Sequence, residues 1–151
     1  MALLIALHVL AAVVWVGGML FAYVVLRPSA GPLEPPLRLA LWQRVLSRFF
    51  PWVWASIAVL LGTGYAMLFL HFGGFANAGL HILVMQAMGI LMMLLFLYLF
   101  LVPWRRFSHA VQARAFQDAA TALDRIRRIV ATNLVLGVIT VMVGASGRFW
   151  P

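Results

Sequence analysis

Three long stretches carry no formally charged residue: Met1 to Leu26, Phe49 to Trp104 and Ile129 to Gly147. No soluble fold buries that much uninterrupted apolar chain. A membrane-spanning helix needs about 20 residues. The middle stretch is long enough for two, and Phe72–Gly79 (Phe-Gly-Gly-Phe-Ala-Asn-Ala-Gly) inside it is a turn signal. In lipid only helices and closed barrels satisfy their own backbone, and these runs are too long and uniform for barrel strands. The expected fold is all-α: one membrane domain over 1–151, a four-transmembrane-helix bundle of up-down-up-down connectivity. Its helices are expected at about 2–26, 50–70, 80–102 and 129–147. The first run lacks a basic start and exceeds the length of a signal-peptide core, so it reads as a retained helix. Charged residues make up 9% of the chain, against roughly 25% in soluble domains.

The net charge is +8, and every basic residue is arginine. Ten of the eleven arginines fall in Arg27–Arg48 and Arg105–Arg128, the connections of helix 1 to 2 and 3 to 4. The turn between helices 2 and 3 has none. The positive-inside rule places loops 27–48 and 103–128 in the cytoplasm, and both termini and the 72–79 turn outside. A bacterial inner (plasma) membrane suits this pattern, which is not a nucleic-acid signal.

The first connection opens with prolines at 28, 32, 35 and 36 and becomes amphipathic from Leu37 to Arg48. That part is expected to lie in the interface before Pro51 starts helix 2. The second connection has no glycine or proline from Arg105 to Arg128. Its apolar residues recur at helical spacing, so helices 3 and 4 are expected to project as a hairpin. Asp124 and Arg128 are spaced for a surface ion pair.

The chemistry concentrates in histidines. His8 lies eighteen residues before Leu26, ~27 Å above the arginine-rich end at the helical rise. His71 lies twenty residues after Pro51 and His81 twenty-two before Pro103, giving ~30 and ~33 Å. Three imidazoles in one leaflet of a small bundle form a candidate metal site. An ionisable group inside a span is costly and points to function, which singles out His8. Met85 is one turn inward from His81, Met88 two turns, and Met67 one turn inward from His71. Neutral imidazole with thioether suits Cu(I). Two imidazoles facing across a bundle suit a haem b.

Trp15 shares a face with His8, with Ala11 and Ala12 between. Asn133, Gly137, Thr140 and Gly144 form a small face on helix 4, and Gly17-Gly18 and Gly62-Thr63-Gly64 offer similar contacts. Asn133 is expected to bond a neighbouring helix. Cysteine is absent, which excludes disulfides and thiolate ligands. The three acids, Glu34, Asp118 and Asp124, all fall in the arginine-rich segments. A hard-cation site at the other end has no carboxylate to use, and no hydrolytic triad or phosphate loop is visible.

The stretch Leu7-His8-Val9-Leu10-Ala11-Ala12-Val13-Val14-Trp15-Val16-Gly17-Gly18 resembles the opening helix of the copper resistance protein D (CopD-type) family. The stretch Arg127-Arg128-Ile129-Val130-Ala131-Thr132-Asn133-Leu134-Val135-Leu136-Gly137 resembles its final helix. The resemblance implies an inner-membrane protein of copper homeostasis, often copper uptake. The first-helix pattern is also similar to small four-helix haem proteins of the protoporphyrinogen IX oxidase type. That group implies a haem-ligating histidine and a lysine in the third helix. This chain has no lysine, and Met85 and Gln86 occupy that region.

The sequence supports three functional readings. The first is copper uptake through an outer-face site of His8, His81 and His71, supported by Met85, Met67, Trp15 and Asn133. The second is a b-type haem protein with His8 and His81 as axial ligands, in electron transfer or porphyrin oxidation. The third is an accessory subunit with structural histidines. A homodimer is expected, since four helices are few for a complete ion pathway.

Overall fold

The computed structural model describes residues 1–149, the side chain of Arg148 excepted. It is built from helices joined by short turns. α1 (Ala2–Leu20) continues as a π-helical segment (Phe21–Leu26) into a short α2 (Arg27–Ser29). α3 (Pro35–Leu70), α4 (Leu80–Leu101), α5 (Pro103–Gln112) and α6 (Phe116–Ser146) follow. Among the described residues, four helical spans are long and apolar enough to cross a membrane. Large apolar side chains such as Leu3, Val9, Val13, Leu94 and Met142 are exposed around them. A helix set that is apolar on its outside as well as its inside is a set solvated by lipid.

α1 packs on α3, α4 on α6, and α1 meets α6 between them. α3 and α4 are spaced apart by rings. Phe96 of α4 makes edge contacts with Trp15, Phe50 and Trp54, and a tilted contact with Phe100, at 5.2–6.3 Å between centroids. Phe50 also meets Phe100 and Trp104 edge-on. This aromatic cluster fills the bundle towards its arginine-rich end.

The sequence reading differs from the structure in α3. No interfacial segment breaks off before Pro51. One helix of 36 residues runs from Pro35, with Pro51 inside it. At the helical rise this spans ~54 Å, far more than a bilayer core of ~30 Å. Proline removes a single backbone donor. The helix survives because Leu39, Trp42, Leu46 and Phe50 before the proline, and Val53 and Ile57 after it, are all buried against the bundle. Tertiary packing outweighs the local penalty.

The α5–α6 turn carries a left-handed residue that is not glycine, Arg114 at φ 56°. Ala115 N–H bonds Ala110 O at 2.9 Å and Arg114 N–H bonds Val111 O at 3.1 Å. This is the helix-ending pattern that usually places glycine at the left-handed position. Arg114→Gly is expected to raise stability by about 0.5–1 kcal/mol, the relief of the Cβ clash less the entropy of glycine. Thermal melting in detergent checks it, and a lower melting temperature would refute the strain. In the other turn Gly73 and Gly74 sit at φ 70° and 101°, where a side chain is strained.

Candidate functional site

His8 continues the buried stripe of α1 formed by Ala11, Trp15 and Met19. It is half-buried, and its Nδ1 lies 2.8 Å from Thr63 Oγ1 on α3. Thr63 in turn donates its hydroxyl proton to Val59 O at 2.6 Å. A hydroxyl has one proton to give. Thr63 therefore accepts from His8, which carries its proton on Nδ1 and keeps the Nε2 lone pair. Metal-binding histidines are held in this way, the far nitrogen fixed by an outer partner. A Cβ at Gly64 would stand 3.3 Å from His8 Cε1, so the glycine lets the ring lie close against α3. Gly62 faces open space and has no such role. Met67 is one turn beyond Thr63 on the same face of α3.

Between α4 and α6, a stripe of soft donors on α4 lies against glycines of α6 and against Gly147 just past its end. A Cβ at buried Gly147 would collide with the His81 ring, and one at Gly144 would stand 3.3 Å from Met85 Sδ. A Cβ at Gly137 would stand 3.1 Å from Met92 Cε and 2.8 Å from Val16 Cγ2. Asn133 Nδ2 donates to Met92 O at 3.1 Å. His81, Met85, Met88 and Met92 are spaced by four, three and four residues, so they form a single face of α4. The two halves are tied by Gln86 Nε2 donating to Tyr65 Oη at 3.1 Å.

The three imidazoles do not share one level. His71 follows Thr63 by eight residues, ~12 Å along the axis. It caps α3 in an exposed position, against the ring of Phe72. His8, bonded at Thr63, is thus about two turns deeper. Among the described residues no group of three or more His, Cys, Asp or Glu is placed to hold a metal ion. Instead, His81 lies one turn from Met85 on α4, and His8 lies against Thr63 and Gly64 on α3. Residue spacing alone does not reveal Thr63 or Gly147, because both act across helices.

Asn133 and Trp15 belong to the bundle interior. Asn133 is 2% exposed and bonds a neighbouring helix as expected. Its Oδ1, Trp42 Nε1 and Arg127 Nε are buried without a hydrogen-bond partner in the structure. All three side chains line one internal cavity of about 30 Å³, room for about one or two water molecules.

A family model, copper resistance protein D, matches residues 43–146. The chain belongs to the copper resistance protein D family. The match runs from within α3 to the end of α6, so the family is carried by α3, α4, α5 and α6. α1, where the sequence resemblance is easiest to read, lies outside the match. No curated protein matches the chain, and no solved structure does. With four apolar spans, this member of the copper resistance family is a multi-pass membrane protein.

Proposed function

We propose that this protein takes up or buffers Cu(I) in the membrane through the soft donors of its turn end. The observation that carries the reading is the α4 stripe of His81, Met85 and Met92 seated on Gly147, Gly144 and Gly137. Imidazole and thioether in an apolar setting favour a soft monovalent ion over hard divalent cations. His8 supplies the second imidazole, its lone pair held ready by Thr63. His71, exposed beside the turn, meets an arriving ion before either. Copper here is cargo or ligand of the stripe. In this reading the arginine-poor turn faces outward and the arginine ends face the cytoplasm. A potential of ~100 mV, negative inside, then contributes about 2.3 kcal/mol to inward movement of one charge.

The test is a Cu(I) titration of detergent-purified protein against a chromophoric chelator. Wild type is expected to bind at least one ion per chain. His81→Ala and Met85→Leu together are expected to lose it, with unchanged helix content by circular dichroism. Undiminished binding in that variant would overturn the stripe assignment. A Soret band in the wild type that disappears with His8→Ala would replace copper by haem.

A further inference from the structure

The arginine end of the bundle contains an open cleft of about 550 Å³. Arg27, Arg38 and Arg127 line it with Tyr23, Pro28 and Gly31. The three guanidiniums come from three elements: α2, the first turn of α3, and α6. Each is held by neutral partners. Arg27 lies over the Tyr23 ring at 4.9 Å, and Arg127 lies over Trp42 at 5.4 Å. Arg38 donates to Gly31 O at 3.2 Å. Rings and carbonyls orient a guanidinium without cancelling its charge.

No carboxylate lines the cleft. Asp124, the acid that acts on Arg127, is taken by Arg128 at 2.7 Å. Arg27 and Arg38 both repel Arg127. Three cations gathered in a concave site with no carboxylate among them call for an anion with several acceptor oxygens. Arginine forks match phosphate in this way.

The neighbouring surface favours a lipid as its carrier. Phe21, Val24 and Val25 are exposed apolar residues on the π-helical segment just before Arg27. The cleft therefore opens where the apolar span ends, at headgroup depth, beside a surface for acyl chains. Basic pockets between spans at this level bind anionic headgroups. We propose that Arg27, Arg38 and Arg127 form a binding site for the phosphate of an anionic phospholipid. This site is separate from the copper-binding stripe and stands or falls without it.

The experiment uses delipidated full-length protein in a zwitterionic detergent. Phosphatidylglycerol, phosphatidylcholine and inorganic phosphate are added in turn, and binding is read by native mass spectrometry and by thermal shift. Phosphatidylglycerol is expected to bind and to raise the melting temperature. Phosphatidylcholine is expected to do so far less, because its choline is repelled. Arg38→Gln with Arg127→Gln should weaken phosphatidylglycerol about 30-fold, at about fivefold per charge. Arg105→Gln with Arg106→Gln removes two exposed charges outside the cleft, and should leave affinity within about twofold if the site is local. Equal losses in the two double variants would reduce the effect to general surface charge and overturn the site. A full response to inorganic phosphate alone would overturn the lipid assignment. Arg38→Lys with Arg127→Lys keeps the charge and guards against a folding artefact. Its affinity should fall between wild type and the glutamine pair, and affinity no better than the glutamine pair would count against the site.

Discussion

Valine in place of Thr63 is expected to weaken Cu(I) binding by about 10- to 100-fold, the usual cost of losing an outer-shell partner of a ligand histidine. The two side chains have nearly the same shape, so the α1–α3 contact stays filled. What disappears is the acceptor for His8 Nδ1–H. A half-buried N–H left without a partner costs about 1–3 kcal/mol. The ring escapes that cost by moving its proton to Nε2 or by turning away, and either response removes the lone pair from the site. Thr63→Ser keeps the hydroxyl and is expected to bind like wild type. The chelator titration decides between them. Wild-type affinity in Thr63→Val would show that His8 is no ligand, or that Thr63 does not orient it.

The largest loss of stability is expected at Phe96. Its ring meets Trp15, Phe50, Trp54 and Phe100 and is 3% exposed. In a water-soluble core Phe→Ala costs about 3–5 kcal/mol, of which part is transfer from water. In a bilayer the separated helices are still surrounded by hydrocarbon, so that part largely vanishes. The void and the lost edge contacts remain, the contacts at about 0.5–1.5 kcal/mol each. Phe96→Ala should therefore cost about 2–3 kcal/mol. Phe69→Ala, at a ring 57% exposed, serves as the comparison and should cost under about 1 kcal/mol. Denaturation in mixed micelles measures both. Equal costs would remove the aromatic cluster from any role in holding α3 and α4 in place.

The candidate site was legible only in part. His8 was marked by its depth, since an ionisable group in an apolar run is costly without a purpose. Met85 followed from its place one turn from His81. His71 misled, because counting from Pro51 takes the proline as the start of a helix, whereas α3 begins sixteen residues earlier. The three depths then matched numerically, yet the bond to Thr63 holds His8 two turns from His71. The sequence marks Gly144 as a small residue at a helix contact, and the side chain that lies against it is the Met85 thioether.

The sequence by itself determined four apolar spans, their helical form and the clustering of arginine at one end. Each is a property of local composition: lipid admits only backbones that satisfy themselves, and charge is confined to the ends. The partners were decided by the tertiary structure alone. Which imidazole nitrogen keeps its lone pair, which glycine seats a sulfur and which arginines converge all depend on the rotation and depth of one helix against another. Those are set by the packing of Trp15, Phe50, Phe96 and Gly137, contacts between residues far apart in the chain that no local pattern encodes.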